Sequence, residues 1–298
     1  MAESAVAREI RMSFMKHDGL LFENGHLAIV AAKHGYFLYN RNDQFIGRSL
    51  EHYGEWCEPG LDLILQGIRP GDTVLDIGAN IGTHTVALAK KAGPAGRVIA
   101  FEPQRIVFQT LCANVALNGL TNVDCRRNGV GGASRPVRVP ELDPAIPQNF
   151  GEFEISGHQE GEEVAIVTID SLALGGCAMT KIDVEGMERE VILGGGATIR
   201  EFRPMLFVEN NSQERSEALI QSVLDLDYRV WWVISNYFRP NNYFDNAEEI
   251  FAPGQASVDM FCVPAEKDVN IAGLEPVRGA SDNMYAAADR IIARNTRS

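Results

Sequence analysis

Asp76-Ile77-Gly78-Ala79-Asn80-Ile81-Gly82 joins a short apolar run, Thr73–Asp76, to a helical stretch, Thr83–Lys91. Two glycines let such a turn fold tightly and bring backbone close to a ligand with no Cβ in the way. Their spacing is G-x-x-x-G and not the G-x-G-x-x-G that cradles a pyrophosphate. A strand, a glycine turn and a helix in that order is the opening of a β-α unit, and the reading of the chain works outward from it.

Downstream the same alternation repeats. Arg97–Phe101 reads as a strand ending at Glu102, Gln104–Asn118 as a helix and Asn122–Arg127 as a third strand. Residues 133–170, rich in Pro and Gly, read as an irregular insertion. The repeat resumes with Ala178–Ile182, a helix from near Gly186, a strand Pro204–Val208 and a helix Glu214–Leu226. Tyr228–Ile234 and Val258–Val263 close it as two strands without an intervening helix. Alternating units call for a parallel sheet covered on both faces, and strands lacking a helical crossover pair antiparallel. The expected fold is therefore α/β: a Rossmann-like, seven-stranded class I methyltransferase sheet with an antiparallel last strand. A nicotinamide-binding domain would continue with a sixth β-α unit. Upstream, residues 1–16 read as a helix, His26–Ala31 and Tyr36–Tyr39 as strands, and Pro59 as the opening of a helix through Ile68. The expected domains are an N-terminal helix and β extension on the acceptor side (1–60), a methyltransferase domain (61–265) and a tail (266–298) with a helix over Asp282–Ala293, which could pack on the sheet domain or on a second subunit of a homo-oligomer.

Composition narrows the partners. The 298 residues are 45% hydrophobic, and the formal net charge is −13. Nucleic-acid binding rests on basic patches that neutralise phosphates, so a chain this acidic points to no nucleic acid and to a small-molecule, sugar or peptide acceptor. Cys57, Cys112, Cys125, Cys177 and Cys262 form no C-x-x-C pair, which suits a reducing compartment. Met1-Ala2-Glu3-Ser4 carries acid early and lacks a signal peptide's apolar core, and no apolar run reaches the length of a membrane span. The expectation is a cytoplasmic protein.

Ligands of open α/β sheets sit at the carboxyl ends of the strands. S-adenosylmethionine has no phosphate and needs a close backbone wall more than an anion nest, which suits the turn. Asp76 can receive its amino group through a charge-assisted hydrogen bond. Glu102, at the end of the second strand, can accept from both ribose hydroxyls, and Asn128 lies where a side chain reaches the adenine edge. His84, at the start of the following helix, is placed in the cofactor wall. Asp183 and Glu185 end the fourth strand, and Glu209 with Asn210 ends the fifth. Asp183 is expected to act as general base toward a hydroxyl or as a metal ligand. The trio Asp183, Glu209 and Asn210 offers hard oxygen donors of the kind that hold Mg²⁺. Glu185 also suits a helix's first turn, where carboxylates are favoured. His158, in the insertion, is an acid–base candidate; His34 reads as a turn residue.

With those residues in view, the chain resembles the FkbM family of S-adenosylmethionine-dependent methyltransferases from about Gly47 to Pro264. The marks are Ile46-Gly47-Arg48-Ser49-Leu50 with Tyr53-Gly54-Glu55-Trp56, then Asp76 to Thr85, Ala100-Phe101-Glu102-Pro103-Gln104, Asn114-Val115-Ala116-Leu117-Asn118 and Lys181-Ile182-Asp183-Val184-Glu185-Gly186-Met187-Glu188. The resemblance implies methylation of a hydroxyl on a sugar, glycan or natural product. It carries the cofactor role onto Asp76, Gly78, Asn80, Gly82 and Glu102, and a site role onto Asp183 and Glu185. Ala79, Thr83 and Pro103 inside those motifs, with Tyr53 and Glu55 upstream, are counted on the cofactor side. Trp231, Trp232, Tyr237, Phe238, Tyr243 and Phe244 would frame the acceptor. The competing readings are a nucleotide-cofactor oxidoreductase on a related sheet and a scaffold without catalysis.

Overall fold

The computed structural model describes residues 19–151, 154–155 and 157–295; the helix expected over residues 1–16 lies outside them. Three strands open the described chain: β1 (Leu20–Asn24), β2 (Leu27–Ala32) and β3 (Gly35–Asn40) form an antiparallel sheet. α1 (Ile46–Tyr53) and α2 (Glu58–Gln66) lead to β4 (Thr73–Ile77), the cofactor turn and α3 (Thr83–Ala92). Then come β5 (Arg97–Phe101), α4 (Arg105–Leu117), β6 (Val123–Arg126), β7 (Gly129–Val130), β8 (Arg135–Val139) and β9 (Glu162–Val167). β10 (Met179–Ile182), α5 (Glu188–Gly194), α6 (Gly196–Phe202), β11 (Met205–Glu209) and α7 (Gln213–Leu224) follow. The chain finishes with β12 (Tyr228–Asn236), β13 (Ala256–Pro264), β14 (Glu275–Pro276) and α8 (Met284–Asn295).

The large sheet has eight strands in the order β14-β12-β13-β11-β10-β4-β5-β6. β6, β5, β4, β10 and β11 run parallel, and β13 is inserted antiparallel between β11 and β12. The expected seven-stranded sheet with its antiparallel last strand is thus present, and the two-residue β14 adds an eighth strand against Trp231 and Trp232. Strand side chains alternate between faces. Val74 and Val98 meet α2 and α3 through Leu61, Ile64, Ala87 and Leu88, whereas Leu75, Ile77, Ile99 and Phe101 meet Val191, Ile199, Leu219 and Val223 of α5, α6 and α7.

The insertion differs from its sequence reading. Residues 133–170 are not irregular throughout, because β8 and β9 pair antiparallel and β7 joins β9 to complete a small sheet. In β8 and β9 the buried core positions are Val137, Val139, Val164 and Ile166, so a two-residue alternation is hidden among Arg, Glu and Pro136. α1 was also illegible. It is one of the shorter helices, and Asp43 starts it, its carboxylate accepting from the backbone N–H groups of Phe45 and Gly47.

Asn114, fully buried on α4, fastens the N-terminal sheet to the main domain. Its amide nitrogen donates to Leu38 O and Ile81 O, and its oxygen accepts from Leu38 N at 2.6 Å. The C-terminal tail is held by Arg290, which reaches both Glu275 (2.5 Å) and Asp282 (2.7 Å). Among the described residues no helix is long and apolar enough to cross a membrane.

Candidate active site

The strand ends of β5, β4, β10 and β11 and the start of β13 surround a cleft whose empty space, counted out to its open mouth, is about 900 Å³. Gly78, Ala79, Asn80, Thr83, His84, Glu102, Asp183, Glu185 and Glu209, all named from sequence, line it.

The turn is set by a close crossing. Gly78 has φ +77°, and a Cβ there would stand 1.6 Å from the carbonyl oxygen of Asp183, so β4 and β10 approach in a way that only glycine permits. The amides of Gly78 and Ala79 both donate to Phe101 O, tying the turn to β5. Asn80, at φ +50°, turns its own amide onto Glu102 Oε2 at 3.0 Å, and Gln104 N reaches Oε1 at 2.9 Å. Glu102 is thereby fixed at the floor of the cleft. Burial pushes its carboxyl up to about 7, against the pull of those two amides and of Lys181.

Asp76 lies behind the turn. It is fully buried, accepts from Thr85 Oγ1 at 2.6 Å and stands 3.4 Å from Lys181 Nζ, and it does not line the cleft. Lys181 is the residue that sequence reasoning quoted without giving it a role. Its ammonium donates to Gly78 O at 2.8 Å and pairs with Asp183 Oδ2 at 3.1 Å, so it bridges the ends of β4 and β10. Burial alone would lower it, but Asp183 and Asp76 outweigh that and raise its pKa. It lies in a strand whose four residues are all buried, and a buried lysine is a paired one, so the partners are what identify it.

Beyond Lys181 the cleft turns acidic and aromatic. Carboxylate oxygens of Asp183, Glu185 and Glu209 lie within 4.8 Å of one another. Asn210 takes no part: it is buried with its amide nitrogen on Ser216 Oγ and Met260 Sδ, away from the cleft. The ligand set expected from sequence therefore does not converge, and Glu185 stands where Asn210 was expected. Asp259 and Ser257 of β13, Cys57, Trp56, Phe45 and Tyr237 complete this end. Asp259 is buried, accepts from Ser257 Oγ at 2.7 Å and is pushed up to about 7 by that burial. Burial likewise drives the Cys57 thiol well up, leaving it a poor nucleophile.

Several other expected residues do not line the cleft. Tyr53 is fully buried, its hydroxyl bonded to Glu248 O and Ile250 N, and Glu55 holds Arg239 and Tyr243 N. Asn128 reaches Ala165 O, and His158 reaches Glu154 O on the exposed insertion. Pro103 and Gly82 shape the turns behind the wall, Gly82 as the αL cap of α3. Of the six aromatic residues expected around the acceptor, Tyr237 lines the cleft. Trp232 is in the core with its indole N–H on Asp282, Trp231 packs under Arg229, and Phe238 packs against Tyr53.

A parallel sheet entered by one antiparallel strand, with a glycine turn after its central strand and carboxylates on the neighbouring ends, is the class I methyltransferase fold. The family model described as the methyltransferase FkbM domain matches residues 76–230, just over half of the chain. The chain belongs to the FkbM methyltransferase family. Among individual proteins, it is 36% identical over 64 residues to the catalytic subunit of the tRNA (adenine(58)-N(1))-methyltransferase of Cryptococcus neoformans, a match covering 22% of this chain and 15% of that one. It is 25% identical over 154 residues to the methyltransferase sdnD of Sordaria araneosa, covering 41% and 59%. The chain thus spans a minor part of the first relative and less than two thirds of the second. The crystal structure of methyltransferase FkbM from Methylobacillus flagellatus superimposes with a TM-score of 0.43 at 19% identity, over 67% of this chain and 50% of that one.

Proposed function

We propose that this protein transfers a methyl group from S-adenosylmethionine to a hydroxyl of a small acceptor, a sugar, glycan or natural product. One observation carries the reading: a single cleft holds the Gly78–Asn80 wall, the amide-fixed carboxylate of Glu102 and, on the far side of Lys181, Asp183. Glu102 offers its oxygens to two ribose hydroxyls, and the turn supplies a close backbone wall at Gly78. Asp76 acts from behind, holding Lys181 and Thr85 in place. His84 is neutral at physiological pH, because burial and then Lys181 lower it to about 4, and its buried Nε2 has no hydrogen-bond partner among the described residues. It is available to a ligand as a hydrogen-bonding group.

The cofactor supplies an already activated methyl on a sulfonium, so the protein's work is alignment, worth up to about 7–11 kcal/mol. Asp183 and Glu185 stand beside the transfer point to orient the hydroxyl and take its proton. The Mg²⁺ set expected from sequence is not assembled, because Asn210 is turned away; oxygens of Asp183, Glu185 and Glu209 do converge, but Asp183 already has a cation at 3.1 Å in Lys181. The acidic lining and the net charge of −13 also favour a small acceptor over a phosphate backbone.

The test is titration with S-adenosylhomocysteine, followed by turnover of Asp183→Asn. Binding of the homocysteine product is expected in both forms, with turnover reduced about 100-fold in the variant and wild-type turnover unaffected by chelators. Absence of binding, full activity of the variant, or activity restored only by Mg²⁺ would each refute the corresponding part.

A further inference from the structure

The position of each carboxylate in the strand order separates two ends of the cleft. Glu102 follows β5 and Gly78–Asn80 follows β4, which fixes the donor side. Glu209 ends β11, two strands beyond β4, and Asp259 lies on β13, three strands beyond. At about 4.8 Å per strand these stand about 10 and 14 Å from β4. They are therefore at the acceptor end.

Glu209 and Asp259 are direct cross-strand partners, so their side chains leave the same face of the sheet, and both line the cleft. Like charges directly opposite one another on a sheet are unfavourable. Among the described residues neither forms an ion pair with a basic side chain. Lys181 is already engaged by Asp76, Asp183 and Gly78 O. Glu209 Oε1 accepts from Asn211, whereas its Oε2 is buried with no hydrogen-bond partner among the described residues. A second buried atom without a partner among the described residues is Nε2 of His84, a residue 7% exposed that lines the same cleft. Around this acidic pair stand aromatic rings: Trp56 and Tyr237 stack at 4.8 Å, and Phe45 meets Tyr237 edge-on at 5.8 Å. Carboxylates backed by aromatic rings make a site for a cation, and ring faces attract ammonium groups further. An anionic acceptor would be repelled at the same place.

We infer that the acceptor carries a protonated amino group beside its hydroxyl, and that Glu209 and Asp259, walled by Trp56, Tyr237 and Phe45, bind that ammonium. This rests on the methyltransferase reading for its meaning, but the cation site stands on its own geometry. An amino alcohol or amino sugar is the chemical class that fits.

The experiment is calorimetric titration of the full chain, with and without saturating S-adenosylhomocysteine. The probes are ethanolamine, 2-amino-1-propanol, glucosamine and galactosamine, each beside its N-acetylated form. At least one amine is expected to bind, with its N-acetyl form at least tenfold weaker. Asp259→Asn and Glu209→Gln should each weaken that amine at least tenfold while leaving S-adenosylhomocysteine affinity unchanged, which also reports that the variants fold. Equal binding of the acetylated forms, or no binding by any amine, overturns the inference. Failure to bind S-adenosylhomocysteine while an amine still binds would instead overturn the methyltransferase reading and keep the cation site.

Discussion

Glu102 shows how one side chain can couple cofactor affinity to pH. Its carboxyl sits at about 7 in the folded protein against an ordinary 4.5, so the folded state holds this proton more tightly than the unfolded one. Its contribution to stability is therefore fully present below the ordinary value and is lost as pH rises through 7. Ribose hydroxyls donate to the ionised form, so binding runs the other way. Affinity for S-adenosylhomocysteine is expected to rise about tenfold per pH unit up to pH 7 and then level off. In Glu102→Gln the profile should be flat and the affinity at pH 8 lower by about 10–100-fold; a calorimetric pH series that keeps its slope in the variant rules the role out. Glu102 was legible in sequence because the end of the second strand in such folds faces the ligand. Lys181 was less so, since a lone lysine says nothing until the carboxylates on neighbouring strands are seen to converge on it. His158 looked chemical by residue type and Tyr53 by its place in a family motif, but their partners, the backbones of Glu154, Glu248 and Ile250, exist only once the chain is folded.

At the level of elements the turn after β4 governs the site, and Gly78 is its most demanding position. Gly78→Ala puts a methyl group into the Asp183 carbonyl at a positive φ, and β4 and β10 must part to admit it. A loss of about 3 kcal/mol or more is expected, together with loss of cofactor binding. Urea denaturation and product titration check both, and a variant of unchanged stability would contradict the crossing described. The turn, the parallel strands and the closing antiparallel pair were readable because each rests on periodicity and glycine placement within a few residues. β8 and β9 were not, since their register depends on pairing across a long loop and half of each strand faces solvent. Asp259 was missed for a related reason. Parallel strands bring their ends to the site, whereas β13 runs the other way and brings its beginning.

Taken as a whole molecule, the sheet is finished by its tail. β14 covers the edge of β12, and Arg290 neutralises two carboxylates, Glu275 and Asp282, that are each less than a tenth exposed. Arg290→Ala leaves both without this partner, and about 2 kcal/mol is the expected cost, given that Arg290 is itself partly solvated. For a chain of 298 residues that lowers Tm by about 3 °C. Thermal melts with cofactor affinity measured alongside separate this from a site effect, because the tail contacts lie away from the cleft; an unchanged Tm would show that the tail adds nothing. A tail helix was visible in sequence from its periodicity, but its docking on the sheet edge was not.

The amide of Asn114 has a further consequence. One side chain holds Leu38 of the outer sheet and Ile81 of the cofactor turn at the same time. The two cannot open independently without abandoning a buried hydrogen bond. Ligand binding that quiets the turn is therefore expected to protect β3 as well, a strand outside the cleft lining, when hydrogen exchange is measured with and without S-adenosylhomocysteine.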